Sequence, residues 1–157
     1  MALPPLIGEH DLNIDEKNRL SMPATWRRAL NGEKAFVLMT GGNGKLWLYP
    51  EPAYQVLVER VQTVGIPSPE QRKLAQMIFA RATPITLDKQ HRILIPEKSL
   101  RRTGTGKDVA VLGMGDHMEI WNREQWEKAD EELTPQMDAV ASAVRQSELE
   151  EKSVTGG

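Results

Sequence analysis

The chain has 157 residues, enough for one ordinary domain or two very small ones, and it lacks cysteine, which excludes disulfides and thiolate-held metals. Its formal net charge of -2 conceals a division, because residues 1–126 carry 17 basic and 14 acidic side chains whereas residues 127–157 carry 3 and 8. No apolar run approaches the ~20 residues of a membrane-spanning helix, and the start lacks the basic and apolar regions of a secretory signal, so we expect a cytoplasmic protein with no membrane partner.

The first predicted element is a hairpin near the start of the chain. "LNID" alternates apolar and polar residues and ends in a turn, and "RLSMP" resumes the alternation until Pro23 ends the strand. A short basic helix, "ATWRRAL", is predicted next, followed by two strands, "AFVLM" and "KLWLY", on either side of the turn "GGNG". Residues 6–54 are therefore predicted to form one small unit of strands with a single helix.

Connecting helices are predicted over residues 55–81. From the end of the first unit onward, residues recur at helical spacing, namely Tyr54, Leu57, Val58 and Val61. A second helix begins with Ser68 as its cap and Pro69 in its first turn. Its predicted apolar face consists of Leu74, Met77 and Ile78. Residues 65–69 form the linker or kink between the two helices.

The first unit recurs at residues 82–126. "DEKNRLSMP" and "DKQHRILIP" share the pattern Asp-x-x-x-Arg-x-x-x-Pro at an offset of 73 residues, as Asp15 and Asp88 show. The similarity continues at an offset of 72 after one deleted position, where Tyr49 corresponds to Trp121. An acidic helix and tail over residues 127–157 complete the chain.

The repeat predicts how the fold buries its apolar residues. A single four-stranded unit of this size exposes strand edges and cannot bury enough surface alone, whereas two units related by a pseudo-two-fold axis can share one core. We therefore predict an α+β fold, mainly β, in which the two units close one barrel with flanking helices. The turns at residues 16–18 and 89–91 would then lie on related parts of that barrel.

The paired turns are the main candidates for a functional site. Arg19 and Arg92 carry planar guanidinium groups that can bind phosphate oxygens or the O6 and N7 edge of guanine, which indicates double-stranded DNA as the partner. The other candidates for contacting DNA are Lys17, Asn18, Lys89, Gln90 and His91. Asp15 and Asp88 are interpreted as structural, because an aspartate at a strand end accepts hydrogen bonds from turn amides and can orient the arginine.

Other interpretations of the motif stay open. An Asp and an Arg four residues apart often form only a local ion pair, and the barrel could be a protein-interaction or assembly module that has lost DNA binding. A hydrolase using Asp15 and Asp88 as a carboxylate pair is a more distant alternative, because the arginines would keep both ionised. The histidines lack metal-site spacing, and "TGTGK" and "GGNGK" are not phosphate-binding loops. We therefore predict no enzyme activity, catalytic residues, metal, cofactor or small-molecule substrate.

Two segments resemble the halves of the MraZ family, bacterial transcriptional regulators built from two AbrB/SpoVT-type units: "GEHDLNIDEKNRLSMPATWRRAL" and "LDKQHRILIPEKSLRRTGTGKDVAVLGMGDHMEIWNREQW". The resemblance covers roughly residues 6–132. It implies a swapped-hairpin β-barrel, ring-like homo-oligomers associated with the nucleoid, and binding of short tandem DNA boxes in the promoter of the division and cell-wall gene cluster. The DNA-contacting motif of the family corresponds here to Asp15, Arg19, Asp88 and Arg92.

The chain departs from the family pattern beside each motif arginine. The family usually has glycine there, whereas this chain has Asn18 and His91. Asparagine tolerates a left-handed backbone more readily than histidine does. We therefore expect the second turn to differ in shape from the first, and His91 to add a pH-sensitive contact.

Overall fold

The computed structural model describes residues 4–62 and 68–156 as an α+β protein, as predicted. The chain divides into two compact units, of which the first ends at Arg123 and the second begins at Glu124. Most of the predicted linker at residues 65–69 lies outside the described residues. In the described parts, no helix is both long and apolar enough to cross a membrane.

The elements follow the predicted order. The strands are β1 (Glu9–Asn13), β2 (Arg19–Ser21), β3 (Ala35–Thr40), β4 (Leu46–Pro50), β5 (Thr83–Thr86), β6 (Arg92–Leu94), β7 (Asp108–Gly113) and β8 (Met118–Asn122). The α-helices are α1 (Ala24–Ala29), α2 (Glu51–Gln62), α3 (Pro69–Ala75), α4 (Glu97–Thr103), α5 (Arg123–Leu133) and α6 (Met137–Thr155). A π-helical turn, Gln76–Ala80, extends α3, and a 3-10 turn, Thr134–Gln136, precedes α6.

Helix α3 confirms the predicted cap and corrects the predicted apolar face. The Ser68 hydroxyl accepts a hydrogen bond from the Gln71 amide at 3.2 Å, and the Ser68 amide donates to the Gln71 side chain at 2.8 Å. Ile78 is buried against Met39 and Tyr49, but Leu74 is exposed. The π-helical turn explains the difference, because its wider hydrogen-bonding pattern shifts the residues that follow relative to those of α3.

Strands of the two sequence copies pair with each other in both sheets. The larger sheet has the order β1-β7-β8-β4-β3-β5, and β2 and β6 form a separate two-stranded ribbon. The first strand of each copy pairs with the third strand of the other copy, that is, β1 with β7 and β5 with β3. Leu12 thus opposes Val109, and Ile85 opposes Phe36. Each copy thus supplies a sheet partner that the other copy lacks.

The strand register defines a pseudo-two-fold axis. Leu20 opposes Ile93 in the ribbon, and these two residues occupy equivalent positions of the two copies. The offset between equivalent residues of the two copies changes from 73 to 72 within the second hairpin of each copy. Val37 opposes Tyr49 in the first copy, and their equivalents Ala110 and Trp121 oppose each other in the second. The predicted deletion therefore lies in the turn between β7 and β8, which is one residue shorter than the turn between β3 and β4.

One hydrophobic core joins the large sheet and the ribbon. It contains ribbon residues from both copies together with sheet residues from both copies, including Leu20, Ile93, Ile95, Phe36, Leu38, Leu48, Val109, Val111 and Ile120. Pro23 and Pro96 immediately precede α1 and α4, which contribute Trp26 and Leu100 to the same core. The two copies therefore share their core rather than each enclosing one.

The structure does not show the predicted closed barrel. Among the described residues, β1 pairs only with β7 and β5 only with β3, so both remain edges of the large sheet. The predicted hairpin arms also separate, since β1 bonds to β7 and β2 bonds to β6. The reason is that β2 and β6, the short second strands of the two copies, pair with each other over the core. They therefore do not connect edge strand β1 to edge strand β5.

Candidate nucleic-acid interface

Asp15 organises the first turn through its side chain. One carboxylate oxygen accepts hydrogen bonds from the amides of Lys17 and Arg19, both at 2.9 Å. The other oxygen accepts from Nε of Arg19 at 2.8 Å. The Asn18 amide donates to the Asp15 carbonyl at 3.0 Å, which closes the turn. A single aspartate therefore shapes the backbone and sets the direction of the guanidinium group.

The second turn repeats this geometry. Asp88 accepts from the amides of Gln90 and Arg92 at 2.8 and 2.9 Å, and from Nε of Arg92 at 3.0 Å. His91 has φ 60° and Asn18 has φ 63°, so both turns use the same left-handed position. The expected difference in shape is therefore wrong, because the bonds to Asp88 hold His91 in a conformation that its side chain alone disfavours.

The pKa of each motif aspartate is lowered. For Asp15 the main cause is the hydrogen bond from the Arg19 amide, which with the Arg19 guanidinium and the Lys17 amide outweighs partial desolvation. For Asp88 the Arg92 amide is likewise the main cause, assisted by the Gln90 amide and the Arg92 guanidinium. Both carboxyl groups are ionised at neutral pH, so neither serves as the proton donor that a carboxylate-pair hydrolase requires.

These shifts predict how stability depends on pH. A lowered pKa contributes stability that is present above the ordinary value of 3.8 and is lost as pH falls through the folded-state value. Asp15→Asn and Asp88→Asn are therefore expected to lower the melting temperature at pH 7, with the difference from the unaltered protein shrinking as the pH falls well below 3.8. Circular dichroism during heating measures this.

Glu16→Gln is the matched control, because Glu16 is an exposed carboxylate in the first turn. It should leave the melting temperature nearly unchanged at neutral and at acid pH. A melting-temperature loss in the aspartate variants that is equally large at pH 7 and well below pH 3.8 would contradict the role of the ionised carboxylates.

The ribbon places both motif arginines on one exposed face. Arg19 opposes Leu94, and Arg92 opposes Ser21, while the central pair is buried. Because side chains alternate along a strand, these four residues share the outward side, which we call the ribbon face. Arg19 and Arg92 are diagonal neighbours on this face. Diagonal neighbours in an antiparallel ladder lie about 7–8 Å apart.

Each guanidinium group is oriented by its aspartate, but not all of its N–H donors take part in hydrogen bonds. The side chains of Arg19 and Arg92 are 30% and 25% exposed, and each uses Nε in the bond to its aspartate. Within the described parts of the chain, the terminal nitrogens of both groups have no hydrogen-bonded protein partner. The terminal N–H groups of both arginines are therefore unbonded within the described chain, an arrangement that suits phosphate oxygens or a guanine edge.

The remaining predicted site residues surround this face. Lys17, Lys89, Gln90 and His91 are exposed in the two turns, and Asn18 is half-buried. Sequence reasoning missed Lys107, whose ammonium donates to the Asn18 side-chain oxygen at 2.8 Å and to the Asp15 carbonyl at 3.2 Å. The repeat contained the signal, because Lys34 precedes it by the offset of 73 residues.

A separate polar cluster lies where β4 pairs with β8. The buried Glu119 accepts hydrogen bonds from Asn43 at 2.8 Å and from Trp121 at 3.0 Å, and the His117 ring stacks on Tyr49. Burial alone would raise the pKa of Glu119, but its interactions with His117, Trp121 and Asn43 lower it. The carboxylate is thus satisfied internally. No group of three metal-ligating side chains occurs in residues 4–62 and 68–156.

The fold and the ribbon face define a class of protein: a tandem repeat whose copies share one core and present paired, aspartate-oriented arginines. The sequence model described as "MraZ protein, putative antitoxin-like" matches residues 6–76 and 78–147. The chain therefore belongs to the MraZ family, as its motifs indicated.

Relatives in other bacteria match the chain over most of its length. The transcriptional regulator MraZ of Heliobacterium modesticaldum is 36% identical over 86% of this chain and 93% of its own. The protein of the same name from Herpetosiphon aurantiacus is 36% identical over 88% of this chain and 95% of its own. The protein of the same name from Clostridium tetani is 32% identical over 78% of this chain and 84% of its own.

Proposed function

We propose that this chain is a sequence-specific DNA-binding transcriptional regulator. The observation that carries the proposal is the placement of Arg19 and Arg92 on one exposed face, each held by its own aspartate. Pre-oriented guanidinium groups lose little conformational entropy on binding, which favours affinity for a regular array of phosphates and base edges. The names of the relatives, transcriptional regulators, support the same conclusion.

The proposed target is a set of short tandem boxes in the promoter of the division and cell-wall gene cluster. A ring-like homo-oligomer in the cytoplasm, associated with the nucleoid, would present one ribbon face per chain. Several weak contacts to evenly spaced boxes would then combine through high effective concentration. The pairing of β1 with β7 and of β5 with β3, each across the two copies, supports the swapped-hairpin arrangement for each chain.

A second candidate function is an assembly module that does not bind DNA. Helix α6 favours it, because Met137, Val140 and Val144 form an exposed apolar stripe along the helix. Such a stripe also serves a DNA-binding oligomer, so assembly and DNA binding are compatible. Salt dependence separates the two functions, since only DNA binding releases counterions from a polyanion.

The test is fluorescence anisotropy with a duplex from upstream of the protein's own gene at several salt concentrations. We expect log affinity to fall linearly with log salt, by ~0.9 for each phosphate contacted. A duplex of the same length and scrambled sequence is the control, and it should bind more weakly at every salt concentration. Absence of salt-dependent binding, or equal affinity for both duplexes, would contradict a sequence-specific regulator.

A further inference from the structure

The two arginines of the ribbon face have unlike neighbours. Leu94 opposes Arg19 across the ladder, and Ser21 opposes Arg92. Leu94 is 61% exposed, although the adjacent Ile93 is 1% exposed in the core. Ser21 occupies the equivalent place in the first copy, so the fold accepts a polar side chain at this position. Packing within the chain therefore does not account for the leucine.

An exposed apolar group beside guanidinium groups matches a particular feature of DNA. In the major groove, bases present hydrogen-bond donors and acceptors, and thymine adds an apolar methyl group. Leucine has no polar atoms in its side chain and can bind only that methyl group favourably. Serine at the equivalent position offers a hydroxyl, which can bind base edges of more than one kind.

The dimensions of the ribbon fit this contact. The major groove of B-DNA admits a two-stranded β-ribbon. Directly opposed residues in a ladder have β-carbons about 4.5–5.5 Å apart, and successive base pairs are about 3.4 Å apart. Leu94 and Arg19 would therefore reach the same base pair or neighbouring ones when the ribbon face enters the groove.

The two turns beside the ribbon also differ from each other, in their charged side chains. Asn18 is held by Lys107, while Glu16 places a negative charge in the first turn. The second turn has Lys89 at the position equivalent to Glu16. The two halves of the contact surface are thus chemically distinct in charge as well as in the Ser21 and Leu94 pair.

We propose that Leu94 is a specificity-determining residue that contacts the methyl group of a thymine next to the site bound by Arg19. Ser21 makes no such contact, so the two halves of the ribbon face read different bases. The inference rests on the proposed function, because it requires the ribbon face to enter DNA. It adds to that function a named base and a named residue outside the Asp-x-x-x-Arg motif.

The test removes the methyl group and the leucine separately. Short duplexes tiled across the region upstream of the gene identify the one that binds most tightly, and a second version of it carries deoxyuridine in place of every thymidine. The unaltered protein should bind the deoxyuridine duplex about fourfold more weakly for each methyl group contacted, the factor expected for one buried methyl-sized group. Leu94→Ser should lose most of this discrimination and bind the thymidine duplex about fourfold more weakly.

Comparing the two proteins cancels general effects of deoxyuridine on DNA shape. Leu94→Ser introduces the residue that Ser21 already provides at the equivalent place, so the ribbon should fold normally. Leu74→Ser, a change of another exposed leucine on α3, is the control and should discriminate like the unaltered protein. Equal thymidine-to-deoxyuridine ratios for the unaltered protein and Leu94→Ser would overturn the inference while leaving the proposed function intact. Failure of the unaltered protein to bind any duplex would overturn both.

Discussion

Replacing both Arg19 and Arg92 by alanine is expected to weaken binding to promoter DNA by at least about 30-fold. A well-placed bidentate arginine contributes about 1–3 kcal/mol of discrimination, so each single variant should lose about 5- to 150-fold. The salt dependence of the double variant should also become shallower, because fewer phosphates are contacted. Anisotropy titrations with the same upstream duplex measure both quantities.

Two controls separate lost contacts from lost structure. Arg72→Ala removes an exposed arginine from α3, outside the ribbon and the turns, and should leave affinity nearly unchanged. Arg19→Lys keeps the charge but loses the planar fork that Asp15 orients, so its affinity should fall between those of the unaltered protein and Arg19→Ala. Circular dichroism checks that each variant is folded. Unchanged affinity of a folded double variant would refute the assignment of the ribbon face as the DNA-binding surface.

Ile93→Ala is expected to lower the free energy of unfolding by about 2–5 kcal/mol, the usual cost of truncating a buried isoleucine. The side chain lies on the pseudo-two-fold axis opposite Leu20, where both copies meet in the shared core. A natural domain has a total stability of only about 5–15 kcal/mol, so this single change removes a large part of it. Urea unfolding at a fixed protein concentration, followed by tryptophan fluorescence, measures the loss.

The adjacent residue gives the matched control. Leu94→Ala truncates a side chain of the same size one position along β6, but on the exposed face. It should change the free energy of unfolding by less than about 0.5 kcal/mol, as is usual for surface substitutions. If Leu94→Ala destabilised the protein as much as Ile93→Ala, the assignment of inner and outer faces of the ribbon would be contradicted.

The features predicted most closely from the sequence are those whose bonds are local. Asp15 reaches the amides of Lys17 and Arg19 within five consecutive residues, and the cap of α3 joins Ser68 to Gln71. Such short loops cost little entropy to close, so the residues themselves specify the conformation. His91 shows the limit of this reasoning, because its left-handed backbone follows from the bonds around it rather than from its own preference.

Features that depend on distant partners were not predictable in the same way. The contact of Lys107 with Asn18 joins residues on separate elements, and the ribbon face exists only because β2 pairs with β6. Alternation of apolar and polar residues indicates which side of a strand is buried, but it does not indicate which strand lies beside it. For this reason the sequence did not indicate which strands would pair, and no closed barrel is seen among the described residues.

The sequence by itself therefore determined the repeat, which is visible in its residues. It also determined the turn in each copy and the direction of each arginine, since hydrogen bonds between near neighbours govern these two features. Tertiary structure decided that strands of different copies pair, that the short second strands form a ribbon, and that Leu94 lies beside Arg19 on its outer face. The physical reason is that several pairings satisfy the same apolar pattern, and burial of one core shared by both copies selects among them.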